Sequence, residues 1–331
     1  MDQIIEVEAG ESLPLSAEDQ KVSPLGQEIL KRHVPSAHYC LLREKQLLAR
    51  CSIWTEATPE HLGQSVGVVG HYAAAERSAG AYLLDHAIER LRRRGFRSAI
   101  GPMDGNTWRR YRLLTRRGSQ PPFFLEPDNP DEWPEHFAAA GFTPLASYFS
   151  GLNDDLSITD PRIPAALIRL HEDGVRIRQI ETSRFEEELK AVHELSVAAF
   201  SGNFLYTPIS QAEFLAMYAP LRPHIRPELV LLAEKGSQLV GFVFGLPDLL
   251  QGQRGEPITT AIAKSLAVRP GRSGAGLGSV LMDQFQQAAR ALGLRRVIHA
   301  LMHESNRSMK ISARFGRPFR EYTLYSKELG A

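Results

Sequence analysis

Residues 258–293 constrain the fold more than any other stretch. They read ITTAIAKSLAV, then RPGRSGAG, then LGSVLMDQFQQAARALG. The first piece is a β-rich apolar run long enough for a central strand. In the last, Leu277, Val280, Leu281, Phe285, Ala288 and Leu292 recur at three- and four-residue spacing, which predicts one face of a helix. Gly271, Gly274, Gly276 and Gly278 lie at the helix start. Glycines there let backbone N–H groups approach a phosphate, whose charge the positive end of the helix dipole favours. Gly276 is followed by Leu277 and Gly278, so the loop lacks the lysine that a nucleotide-hydrolysing loop sends to a terminal phosphate. A dinucleotide fingerprint would need an acidic residue ending the next strand, but Arg296–Leu301 runs into Met302-His303.

A second copy of the pattern lies upstream. Shifted by 198 positions (293 − 95), SAGAYLLDHAIERLRRRGFRSAI falls on GLGSVLMDQFQQAARALGLRRVI, so that Gly80 meets Gly278, Asp85 meets Asp283 and Gly95 meets Gly293. Such a repeat implies two copies of one domain, as does a length of 331 residues, beyond the usual single core. Residues 74–79 of the first copy lack the glycines and carry Glu76, making a poor phosphate cradle. The first copy is therefore expected to be degenerate, packing against the second and walling its cleft. The expected division is a lead-in at 1–35, the first copy at 36–152, a linker and helix at 153–174, and the second copy at 175–331. Helices are predicted at Ser78–Arg94, stopped by Gly95, at Ser183–Phe200 and at Ile209–Met217. A hairpin should turn on Lys235-Gly236-Ser237. The Pro- and Gly-rich segment 101–133 reads as irregular.

Val268-Arg269-Pro270, then Gly274-Ala275-Gly276-Leu277-Gly278 and the helix, resemble the acyl-CoA-binding motif of the GNAT (Gcn5-related) N-acyltransferases. That motif usually reads V-x-P-x-x-R-G-x-G-I/L-G; here Ser273 holds the arginine position, with Arg272 one place earlier. Asn306 opening a short helix that ends near Gly316 is similar to the family's last motif. NFLYTPISQAEF, GPMDGNTW, PPFFLEPDNP and HESNRSMK look like pieces of a subgroup of longer bacterial tandem-domain members. The resemblance implies a mixed α/β (α+β) fold of two tandem domains, each a mostly antiparallel sheet flanked by helices. It implies acetyl-CoA or another acyl-CoA as co-substrate, held by Ala267, Val268, Arg272, Gly274, Ala275, Gly276, Leu277, Gly278 and Asn306.

In such a site an amine attacks the thioester directly, so the chemistry needs a base for the ammonium and an acid for the leaving thiolate. The family often has a carboxylate on the fourth strand and a tyrosine on the last helix. Ala263-Lys264-Ser265 and Ser312-Ala313-Arg314 supply neither. His303, Glu304 and Tyr322 are the candidates for proton handling, with His299 and Tyr325 behind them. His299, mid-strand, reads first as a core histidine. Asn203, Tyr206 and Asp248 are the candidates for the substrate side. The aromatic loop that holds the first two is read equally as ordinary packing, and Asp248 equally as a turn residue.

The remaining composition narrows the partners. Lys plus Arg is 39 against 38 for Asp plus Glu, a net +1 that gives no reason to expect nucleic acid or an anionic membrane. The acidic start MDQIIEVEAGE is unlike a signal peptide and no apolar run reaches membrane-spanning length, so the expected compartment is the cytoplasm. Cys40 and Cys51 flank a hairpin and read as core thiols. No His/Cys/Asp/Glu spacing suggests a metal. The expected function is an acyl-CoA-dependent N-acyltransferase acting on a small-molecule amine. The alternatives are a CoA-binding or sensing protein without catalysis, or a transferase using a different acyl donor.

Overall fold

The computed structural model describes residues 2–11, 13, 15, 20–271 and 275–330. In its first half the order is β1 (Asp2–Glu6), α1 (Gln27–His33), β2 (Ala37–Arg43), β3 (Gln46–Trp54), β4 (Gly67–Ala74), α2 (Arg77–Arg93), β5 (Ser98–Gly101), β6 (Leu113–Arg116), α3 (Trp133–Ala139) and β7 (Thr143–Asn153). The second half continues with α4 (Ile163–Glu172), β8 (Val175–Gln179), α5 (Phe185–Phe200), α6 (Gln211–Tyr218), β9 (Val230–Lys235) and β10 (Gln238–Pro247). It ends with α7 (Leu249–Gln253), β11 (Thr260–Val268), α8 (Leu277–Ala291), β12 (Arg296–His303), α9 (Arg307–Ser312) and β13 (Arg317–Glu328). The fold is α+β, a mostly antiparallel sheet flanked by helices.

Both expected strand–helix–strand units are present, and each contains a parallel pair. β4 runs parallel to β5, and β11 runs parallel to β12; the other strand pairs in the large sheet are antiparallel. One sheet of 13 strands spans the molecule, in the order β1-β2-β3-β4-β5-β13-β7-β12-β11-β10-β9-β8, with β6 paired to β13. The last strands of the two halves have changed places. β13 lies against β5, and β7 lies against β12. The β13–β7 pairing, from Arg317↔Leu152 to Ser326↔Thr143, joins the halves. The lead-in is more structured than its breakers suggest, since Asp2–Glu6 forms an edge strand on β2. The irregular segment 101–133 includes β6, a short strand that its Pro and Gly content hid.

Packing follows the helix periodicity. On one face of the second half, α4 and α8 cover β9–β11 through Ala166, Leu170, Leu277, Leu281 and Phe285; on the other, α5 and α6 cover the same strands through Leu189, Val192 and Phe214. Phe285 packs so close to β10 that a Cβ at Gly245 would lie 2.2 Å from its ring. Leu292 departs from the expected face: α8 ends at Ala291, and Leu292 is 41% exposed. A further cluster crosses the junction, with Val68 and Ile100 of the first half against Leu205, Tyr322 and Leu324 of the second. Cys40 and Cys51 are buried free thiols, and the hairpin register sets Cys51 opposite Tyr39 rather than Cys40. No helix among the described residues is long and apolar enough to cross a membrane.

A sheet shared in this way should unfold as one unit. Phe285→Ala, in the second half, should cost about 3–5 kcal/mol. Its effect should move the melting midpoint reported by fluorescence of Trp54 and Trp133, in the first half, as far as the midpoint from circular dichroism. Separate transitions for the two probes would contradict the coupling.

Candidate functional site

The site begins where two neighbouring strands part. β11 and β12 pair from Thr260↔Arg296 to Ala263↔His299 and then separate. Irregularities on both strands fall at this point. On β11, Ala263 faces Gly245 but Ser265 faces Phe244, leaving Lys264 as the extra residue of a bulge. On β12 the register against β7 shifts between His299 and Met302, and Leu301 takes φ 60°. Ser150 Oγ of β7 accepts the Leu301 N–H at 3.2 Å, holding the distortion. A cleft of about 570 Å³ opens there, lined by Ile262–Leu266, His299–His303 and Asn306, by the loop after α5, and by first-half residues including Arg112, Glu126 and Tyr148.

The first half lacks this opening. β4 and β5 pair only at Gly67↔Ala99 and Val68↔Ile100, but the chain itself fills the space beyond. Met103 N–H donates to Val69 O at 2.8 Å, and a Cβ on Gly70 would lie 1.9 Å from Met103 O. The helix connections differ as well. α2 begins three residues after β4 (77 − 74), whereas α8 begins nine after β11 (277 − 268).

The start of α8 has the form expected of an anion cradle. Gly276 occupies the N-cap with φ 91°, a left-handed conformation that disfavours a side chain, and no side chain caps the helix. Ala275 and Gly276 are exposed, while Leu277 and Gly278 are buried. A Cβ on Gly278 would lie 3.2 Å from Ile311 Cδ1 of α9. Arg314 stands beside the first turn, its Nη1 2.8 Å from Ser279 Oγ and 3.1 Å from Asp160. Arg272 and Gly274 fall outside the described residues. Ala267 and Val268 pair with Phe242 and Gly241 and do not line the cleft; the unpaired edge that does is Lys264–Leu266.

The remaining expected residues divide sharply. Asn203, Tyr206, His303 and Asn306 line the cleft. Asn306 is the N-cap of α9, but its side chain makes no capping bond. The Tyr206 hydroxyl is buried without a partner. His303 Nδ1 accepts the Ser305 N–H at 3.1 Å, which puts the proton of the neutral ring on Nε2, a buried atom with no partner. Burial holds the His303 pKa below the ordinary histidine value. His299 is more open to function than a satisfied core histidine would be. Its Nδ1 bonds Ser312 Oγ at 2.8 Å, but Nε2 has no partner, and burial lowers its pKa to about 4.

Glu304, Tyr322 and Asp248 do not line the cleft. Glu304 is exposed, and its Oε1 accepts the Ser147 N–H at 3.2 Å, while its own N–H donates to the Ser147 carbonyl at 3.0 Å just past the end of β12. Tyr322 is fully buried, donating to Glu126 Oε1 at 2.5 Å and bonding Ser150 Oγ at 3.1 Å. Burial and the neighbouring carboxylate push its phenol pKa far above the ordinary value. Asp248 caps α7, accepting from Leu250 N–H at 3.2 Å and from Phe124 N–H of the first half at 2.8 Å, so it clamps one half to the other. Tyr325 packs on Phe137 in the first-half core.

Behind Tyr322 lies a fully buried ion pair that no local pattern announced. Arg320 donates to Glu126 Oε1 at 2.9 Å and to the carbonyls of Gln120 and Pro121 at 2.7 and 2.8 Å, pinning the cleft loop. A group of possible metal-ligand type, His33, His71 and Asp104, sits in the first half. His33 Nδ1 lies 2.8 Å from His71 Nε2. Arg109 donates to the carbonyls of His33 and Asp104, and Arg50 to that of His71, so cations already crowd the place. The group fits a hydrogen-bonded core flanked by arginines better than an ion site.

Arg320→Met should cost about 3–5 kcal/mol, because it leaves Glu126 buried without its counterion. Desolvation already raises the Glu126 pKa, and loss of the arginine raises it further. A carboxyl raised in the folded state stabilises below its unfolded pKa and loses that contribution as pH rises. Urea unfolding should therefore show a larger deficit at about pH 8 than at about pH 5.

Residues 189–316 match the Acetyltransferase (GNAT) family. Among curated proteins, the chain is 27% identical over 188 residues to a bacterial ceramide synthase of Caulobacter vibrioides, an alignment covering 56% of this chain and 49% of that protein. It is 24% identical over 299 residues to protein YghO of Escherichia coli, covering 82% and 76%. The chain thus spans about half of the first relative and three quarters of the second. Among solved structures, a tandem GNAT protein from the clavulanic acid biosynthesis pathway aligns over 100% of this chain and 99% of its own, with TM-score 0.53 and 15% identity. A GCN5-related N-acetyltransferase from Sphaerobacter thermophilus aligns over 89% and 81%, with TM-score 0.51 and 15% identity. At these identities the likeness is one of fold.

Proposed function

We propose that this chain, which belongs to the GNAT superfamily, moves an acyl group from coenzyme A to the amine of a small molecule. The observation that carries the reading is the parting of β11 and β12 at paired bulges, joined by one loop to a helix start without a side-chain cap. Acetyl-CoA is the first donor to test; the ceramide synthase among the relatives supports extending the test to longer acyl chains. In this reading residues 175–331 hold the donor, and residues 36–152 wall the acceptor side. Residues 1–35 lead in, residues 153–174 connect the two, and the compartment is the cytoplasm.

The α8 start receives the pyrophosphate, with Arg314 beside it, and Asn306 faces the donor. The unpaired β11 edge at Lys264–Leu266 takes the thioester carbonyl oxygen. The amine nitrogen attacks the carbonyl carbon, the C–N bond forms and the C–S bond breaks. The proton given up by the amine balances the one taken by the leaving thiolate. His303, with its proton on Nε2, stabilises that thiolate by hydrogen bonding. Asn203 and Tyr206 line the acceptor side. β11 carries Lys264 in place of a carboxylate, which supports a second reading, CoA binding without transfer.

Calorimetric titration with acetyl-CoA and the Gly276→Glu variant tests the donor site. The variant forces a side chain onto a left-handed N-cap and sets an anion in the cradle, so its affinity should fall at least about 100-fold. Equal binding by both proteins would put the site elsewhere.

His303→Gln separates the two readings. It should lower kcat in thiol-release assays about 100-fold while leaving acetyl-CoA affinity unchanged. Turnover unaffected by the change would remove His303 from the chemistry. Tight donor binding with no turnover on any amine would favour the sensing reading.

A further inference from the structure

We infer that the acceptor amine also carries a carboxylate, and that Arg112 is the residue that recognises it. This deepens the acyltransfer reading and rests on it for the word acceptor, though not for the anion site itself.

Arg112 immediately precedes β6 and lines the cleft, yet it is only 5% exposed. Its Nε and Nη1 are buried without any hydrogen-bond partner, and among the described residues no carboxylate pairs with it. Its guanidinium lies 3.9 Å from the centre of the Tyr111 ring and 4.2 Å from that of Tyr148. Rings of this kind hold the plane of a guanidinium but leave its edge free to donate. A buried arginine left in this state is costly unless a ligand completes it. The backbone also takes φ 67° here, a conformation uncommon for a side-chain-bearing residue.

The other charges around the cleft sharpen the choice of ligand. Arg109 is paired with Glu213, and Glu126, the single acidic side chain in the wall, is paired with Arg320. Lys264 bonds only the Tyr218 hydroxyl, at 3.0 Å. Among the described lining residues, then, the uncompensated charge is positive. Among the described residues, Ala275–Gly278 at the α8 start do not line this wall, so the donor's pyrophosphate is not the natural partner of Arg112. A guanidinium edge, Nη2 with either Nε or Nη1, suits bidentate pairing with a carboxylate. Arg110 and Lys264 also line the cleft without a carboxylate but are more open to water. Arg112 is the buried cation among the described lining residues, and its single charge balances a carboxylate, whereas a phosphate monoester carries about 1.5–2. Tyr148 also stacks edge-on with His303 at 4.9 Å, so a carboxylate held by Arg112 would keep its molecule beside the imidazole proposed to act on the thiolate.

The test uses the full chain and needs no known acceptor. Sodium acetate at about 100 mM should raise the Tm of the wild type by roughly 2 °C or more above the same concentration of sodium chloride. Sodium phosphate should protect less. The acetate increment should vanish in Arg112→Met and persist in part in Arg112→Lys, which keeps the charge without the fork; should the methionine variant fail to fold, the lysine variant carries the comparison. Acetate protecting no better than chloride, or protecting Arg112→Met equally, overturns the proposal, and stronger protection by phosphate overturns the carboxylate assignment. With acetyl-CoA present, amino acids should be acetylated at least about 100-fold more efficiently than their decarboxylated amines, and Arg112→Met should erase that ratio without changing acetyl-CoA affinity. Equal use of both amine classes also overturns it. An Arg112-dependent acetate effect without turnover on any amine would sustain the anion site and instead refute the transfer reaction.

Discussion

The pairing of β7 with β12 on one side and β13 on the other is the constraint on which the rest depends. A strand from the first half completes the sheet of the second, and the chain's last strand completes that of the first. Backbone groups at these edges would otherwise need solvent or another partner. The exchange therefore makes each half the cover for the other's exposed edge. It also reaches the cleft directly. Ser150, on β7, takes the Leu301 N–H at the β12 distortion, and Tyr148, two residues earlier, forms part of the wall. The opening in the second half is held in shape by residues from the first.

This arrangement gives the two copies different work. In the second, the parting strands leave a cleft and a long connection to α8. In the first, the Met103 backbone closes the equivalent gap, and Gly70 is required because a side chain there would strike a carbonyl. Losing the glycine loop and closing the gap are consistent changes, since a cradle without an adjacent opening would have no chemistry to serve. The first copy instead supplies Arg112, Glu126 and Tyr148 to the wall of the cleft in the second.

Much of this was legible in the sequence wherever the signal was local. The 3.6-residue period of α8, the repeat relating it to α2, the hairpin at Gly236 and the left-handed Gly276 are consequences of residues close together in the chain. The strand exchange was not, because β7 and β13 carry ordinary alternating patterns that do not name their neighbours. Tyr322 misled for the same reason. Its place on the last strand suggested reach into the cleft, but its hydroxyl is fully buried between Glu126, 196 positions away, and Ser150. Arg112 was hidden in RRYR, where nothing local distinguishes it from Arg109, which pairs with Glu213, or from Arg110, which is exposed.

Two buried arginines show how the same side chain can serve structure or recognition. Arg320 has a carboxylate and two carbonyls arranged around it, with one nitrogen left over. Its desolvation is met from within the chain, and the loop at 120–126 is fixed as a result. Arg112 is nearly as withdrawn from water, but its guanidinium lies against aromatic faces, and its Nε and Nη1 are left without partners. A core built for stability alone would be better served by an apolar residue of similar volume at that position. Retaining a cation there makes physical sense when a molecule arriving in the cleft brings the missing charge, and the fold keeps it beside the histidine at the end of β12.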